Sequence, residues 1–153
     1  MSDTAGVASS SQTVGPFFHL GLKAQPPRVA VPAIRLTVTV TDGDGKAVDD
    51  GLVELWNTNS FARLATGSSG SCECEIARAS YINVCFFARG LLRQLHTRIY
   101  FAGDPSLASD PVFALVPESR RQTLLACPDP QAQGRWMFHL RLQGPQETVF
   151  FDI

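Results

Sequence analysis

Charge is scarce in this chain. Only 18% of the 153 residues are charged, with 13 Lys and Arg against 14 Asp and Glu, for a formal net charge of -1. No overall field therefore draws it to nucleic acid or to an anionic membrane. Low charge is instead a hint of obligate assembly, because interface cores lose Lys, Glu and Asp. No stretch approaches the ~20 apolar residues of a membrane-spanning helix. Residues 1–11 lack the basic start and apolar run of a secretory signal and read as a flexible N-terminal arm. A cytoplasmic protein is expected.

Catalytic and metal-binding signatures are equally sparse. The histidines, His19, His96 and His139, form neither H-x-H nor H-E-x-x-H. Surface or structural roles are expected for His96 and His139, which lie among alternating apolar neighbours. Without a G-x-S-x-G elbow a hydrolase triad has no support, and there is no glycine-rich phosphate loop. The cysteines, Cys72, Cys74, Cys85 and Cys127, include a C-x-C but no C-x-x-C. They read as reduced thiols, with a zinc site built from them and a histidine as the alternative. Asp42-x-Asp44 begins like a calcium loop, but Lys46 and Val53 stand where the fifth and twelfth ligands belong. It is a turn.

What is present is a beta pattern. Hydrophobic residues make up 44% of the chain and mean hydropathy is +0.03, values of a globular protein able to bury a sizeable core. Ile34, Leu36, Val38 and Val40 alternate with polar residues, and the run ends in the turn Asp42-Gly43-Asp44-Gly45. Residues 51–56 form the next strand, which would pair with 34–41 in one antiparallel sheet. Residues 57–70 read mostly as loop. Strands follow at 71–78, 81–88, 93–101, 135–143 and 148–152, with a loop at 102–111. One helical turn is possible at 117–121 before a short strand at 122–126. No stretch sustains helical periodicity. Short strands broken by 12 glycines and 10 prolines predict an all-β fold, an antiparallel β-sandwich with little helix, in one domain over 1–153.

Two segments invite a binding role. In SQTVGPF, Pro16 fixes its own φ and biases Gly15 toward extended backbone. Thr13 offers a hydroxyl, and Gly15 lets another backbone or a ligand approach closely. Such a stiff, narrow segment can line a pocket, although an ordinary loop is the simpler reading. Arg89, between Ala88 and Gly90, can pair bidentately with a ligand carboxylate; a solvated arginine or a structural ion pair is the plainer alternative.

The two ends, SQTVGPFFHLGL at 11–22 and ETVFFDI at 147–153, sharpen this reading together with FFARG at 86–90, LHTRIYF at 95–101 and ESRRQTLLA at 118–126. These segments resemble the intradiol ring-cleaving dioxygenases over more than half of the chain. The resemblance implies a β-sandwich and a ferric ion, Fe(III), held by two tyrosines and two histidines, the histidines as H-I-H. In heteromeric members an alpha and a beta chain pair, and only beta keeps the four ligands. This chain follows the alpha pattern. Tyr81-Ile82-Asn83 stands in place of H-I-H, and no tyrosine lies between Trp56 and Tyr81. The resemblance implies that this chain binds no metal itself, that the beta chain holds the iron, and that the pairs build a larger hetero-oligomer.

It also implies that Thr13, Gly15 and Pro16 wall the partner's substrate pocket, and that Arg89 steadies the carboxylate of 3,4-dihydroxybenzoate as O2 opens the ring. Residues 57–80 and the link 23–33 are shorter than the family pattern suggests. A non-catalytic scaffold or binding protein on the same fold is the alternative, as is a subunit acting on another substituted catechol.

Overall fold

The computed structural model describes residues 25–29 and 33–152. Nine strands dominate: β1 Gln25–Val29, β2 Ala33–Thr41, β3 Leu52–Asn57, β4 Ser60–Ala65, β5 Ser71–Ala77, β6 Tyr81–Phe87, β7 Leu95–Phe101, β8 Leu125–Pro128 and β9 Arg135–Arg141. They hydrogen-bond in the order β1-β4-β3-β6-β7-β8-β9-β2-β5. Two layers face one another across the core. One is β1-β4-β3-β6-β7, the other is β8-β9-β2-β5, and the β7–β8 pairing joins them. At the far side β5 packs against β1 and β4, which closes the sandwich nearly into a barrel.

The alternation read from the sequence is what fills this core. Leu36, Val38 and Val40 of β2 are fully buried, as are Val53 and Leu55 of β3 and Ile82, Val84 and Phe86 of β6. Cys72, Cys74 and Ile76 of β5 and Phe138 and Leu140 of β9 complete one continuous cluster. Period-two alternation sends every second side chain inward.

Pairing departs from expectation in several places. The strands at 34–41 and 51–56 are not neighbours: β2 lies between β5 and β9, and β3 between β4 and β6. The Asp42 turn closes on itself, because Asp42 Oδ1 accepts the amides of Asp44 at 2.9 Å and Lys46 at 2.8 Å. The chain then crosses to the other layer. The expected loop at 57–70 contains β4, since the polar run Asn57-Thr58-Asn59-Ser60 is only a tight hairpin turn. Asn57 Oδ1 accepts from Asn59 N at 2.9 Å and from Ser60 Oγ at 3.0 Å. The sandwich is not purely antiparallel either, because β2–β9 and β7–β8 run parallel.

The turn expected at 117–121 is the short helix Glu118–Arg121, but Gln122–Leu124 is a 3-10 turn and the strand begins only at Leu125. The loop expected at 102–111 holds the 3-10 turn Pro105–Ser109, with the short helix Pro111–Leu115 following it. Asp110 caps that helix by accepting from Phe113 N at 2.7 Å. The segment expected as a last strand at 148–152 makes only a single bridge, Phe151 to His96.

Candidate functional site

The outer face of the β4-β3-β6-β7 layer carries the site. Directly paired residues point the same way across a sheet. Register therefore assembles on this face Trp56 beside Asn83, Asn83 beside Arg98, Tyr81 beside Tyr100, and Cys85 beside His96. The helix Pro111–Leu115 borders it on one side and the C-terminal segment on another. That segment is tied down at several points. Thr97 Oγ1 donates to Val149 O at 2.7 Å, Phe151 N donates to His96 O at 2.8 Å, and Arg120 Nη2 donates to Glu147 O at 2.7 Å. The ETVFFDI ending thus builds one wall. The result is a cleft of about 260 Å³ lined by residues that include Trp56, Asn83, His96, Arg98, Val112 and Phe151.

Tyr81-Ile82-Asn83, which the resemblance sets against H-I-H, lies at the start of β6. The Arg98 guanidinium lies over the Tyr81 ring, 4.1 Å from its centroid. Arg98 Nη1 also donates to Tyr100 Oη at 3.5 Å and lies 3.9 Å from Asp110 Oδ2. Tyr100 Oη in turn donates to Asp110 Oδ1 at 3.0 Å. Burial is the main reason that the Tyr100 phenol is pushed up to about 12. A cation stacked on Tyr81 and an amide at 83 do not fit a ferric ion. Among the described residues no group of three or more His, Cys, Asp or Glu is placed to hold a metal.

Arg89 lies at the other end of β6 from Tyr81, in the turn that Leu91 N closes onto Ala88 O at 3.3 Å. Gly90 follows it at φ +88, a left-handed conformation that suits glycine. Arg89 Nε stands 3.1 Å from Asp50 Oδ2, close enough for an ion pair. The contact is out of line for a hydrogen bond, since that oxygen has no hydrogen-bond partner. The arginine side chain is 64% exposed. Arg89 is therefore both structural ion pair and accessible cation. Thr13, Gly15 and Pro16, like His19, lie outside the described residues. His139 is exposed on β9, away from the cleft, whereas His96 is in its lining. The sequence reading missed Arg98 as a site residue. Its only signal was its place two residues beyond His96 on the same strand face.

No family model matches the chain, but curated relatives and solved structures do. The protocatechuate 3,4-dioxygenase alpha chain of Burkholderia cepacia is 34% identical, covering 94% of this chain and 96% of the relative. The alpha chain of the same enzyme from Pseudomonas putida is 30% identical, covering 94% and 95%. The first alignment runs over 190 positions against 153 residues here, so the relative carries segments without a counterpart in this chain.

Among solved structures, hydroxyquinol 1,2-dioxygenase from Pseudomonas putida DLL-E4 matches with a TM-score of 0.60 at 18% identity, covering 90% of this chain and 67% of that one. The dioxygenase domain of a dioxygenase carbohydrate-binding protein fusion from Streptomyces sp. SirexAA-E matches at 0.58 and 20% identity, covering 96% and 100%. Catechol 1,2-dioxygenase from Acinetobacter sp. ADP1 matches at 0.57 and 17%, and this chain spans 61% of its length. These structures establish the fold, and the curated relatives establish the lineage. The chain belongs to the protocatechuate 3,4-dioxygenase alpha-chain family, within the intradiol ring-cleaving dioxygenases.

Proposed function

We propose that this chain is the non-iron-ligating subunit of a cytoplasmic protocatechuate 3,4-dioxygenase, acting as one domain that completes the active site of an iron-bearing beta chain. The reaction adds both atoms of O2 across the bond between the two hydroxyl-bearing carbons of 3,4-dihydroxybenzoate and yields 3-carboxy-cis,cis-muconate. The intradiol family works with Fe(III). The observation that carries the reading is the cation at the start of β6: Arg98 covers Tyr81 where iron-holding relatives place a ligand histidine. In this reading the iron sits in the partner, and the contribution of this chain is position and shape. Thr13, Gly15 and Pro16 wall the pocket of the partner, and Arg89 meets the ring carboxylate, which would be costly to leave unpaired in a partly buried site. The pairs assemble further into a hetero-oligomer.

The test is to isolate the tagged chain from its native cells and measure partner mass and iron. A second, similar-sized chain and about one iron per pair are expected, as a single ferric centre requires. A chain that comes down alone and metal-free would transfer the reading to a scaffold on the same fold.

A further inference from the structure

The outer-face cleft is left without a task by that function, yet it has the features of a ligand site. Trp56 and Phe151 give it aromatic walls, and Val112 adds apolar surface from the neighbouring helix. At about 260 Å³ it is at the small end of ligand pockets, suited to a single substituted ring. Its floor is polar and carries a cation. Arg98 is one-quarter exposed or less, and its contacts to Tyr100 at 3.5 Å and Asp110 at 3.9 Å are long, so its donors are under-used. Asn83 presents an amide beside it, in register across the β6–β7 ladder. His96 Nδ1 is buried with no hydrogen-bond partner among the described residues, and Nε2 makes only a 4.0 Å contact to Cys85 Sγ. The carboxylate in the lining, Asp152, is turned to Arg93 at 2.7 Å. Arg98, which also faces the largely buried Asp110 carboxylate at 3.9 Å, is the cation in the lining that an anionic ligand would meet.

We propose that this cleft binds a small aromatic carboxylate, its ring against Trp56 and Phe151 and its carboxylate on Arg98 and the Asn83 amide. A planar guanidinium grips a carboxylate bidentately, and a flat ring satisfies aromatic walls without needing further polar partners. The choice of ligand class rests on the proposed function, because the substrate of that reaction is itself an aromatic carboxylate.

The test is calorimetric titration of the full chain with benzoate, in the complex that co-purifies with it and again by itself. Benzoate has the ring and the charge but no catechol to chelate iron. One saturable benzoate per chain is expected, with benzyl alcohol much weaker. Arg98→Gln should weaken benzoate about tenfold or more, the usual effect of losing a charge-assisted contact. Trp56→Leu should weaken it independently, and melting curves identify any variant that fails to fold. Absence of saturable binding in the unaltered chain overturns the proposal, as does unchanged affinity in both folded variants. If no iron-bearing partner co-purifies, the proposed function fails while the titration of the chain alone still decides the cleft.

Discussion

Arg89 pairs with Asp50 and stays accessible to solvent. Its Nε edge holds Asp50, while the side chain remains exposed at the tip of the β6–β7 turn. Replacing Arg89 with Ala should raise KM for 3,4-dihydroxybenzoate about tenfold and leave KM for plain catechol nearly unchanged, because only the first has a carboxylate. Equal effects on both substrates would remove Arg89 from that role. The cysteines are decided by burial. Cys72, Cys74 and Cys85 are buried and their thiols are pushed up to about 12, chiefly by burial, from an ordinary 9.0. Since the folded state holds these protons more tightly than the unfolded one, their contribution is intact below about pH 9 and is lost as pH rises toward 12. Melting temperature should therefore fall over that window, and the fall should shrink in a Cys72→Ala, Cys74→Ala double variant. At pH 8 a thiol reagent should label only the exposed Cys127 quickly and the other three only after unfolding. Fast labelling of all four would contradict the buried assignment.

At the level of elements, the connection between β4 and β5 is tightly constrained. Gly70 adopts φ +70, and a Cβ there would stand 2.6 Å from Val40 O. Val40 N in turn donates to Gly70 O at 2.8 Å, which pins the turn onto β2. Gly70→Ala should cost about 1–3 kcal/mol through left-handed strain and this clash, read as a lower urea midpoint at unchanged slope. An unchanged midpoint would mean that the turn relaxes freely. The strands themselves were legible in the sequence, because alternation over residues 34–41 and 81–88 directly reports a buried face. Their pairing was not. Alternation in β2 and β3 is the same whether the two are neighbours or lie in opposite layers, and the polar residues around Asn57 look alike in a long loop and a tight hairpin.

For the whole molecule, the proposed division of labour puts chemistry in a partner and shape in this chain. Deleting residues 1–16 should leave the melting temperature close to that of the intact chain but lower turnover of the complex at least tenfold, since positioning alone can carry that much of a rate. Unchanged kinetics would sink the pocket-wall role of Thr13, Gly15 and Pro16. No helix among the described residues is long and apolar enough to cross a membrane. The relative from Burkholderia cepacia carries aligned positions without a counterpart in this chain. The size of the assembly is accordingly a property to be weighed for this chain by itself.

The sequence by itself determined the class of fold and the lineage, because alternation and residue identity are local facts. Tyr81-Ile82-Asn83 carries its message without any coordinates. Tertiary structure alone decided what surrounds that tripeptide. Arg98 reaches Tyr81 only because β6 and β7 pair in a register that sets Asn83 beside it, and Asp110 and Phe151 arrive from segments distant along the chain. Register, crossing between layers and the docking of the C-terminal segment depend on the summed packing of the sandwich, and no short stretch of sequence records that sum.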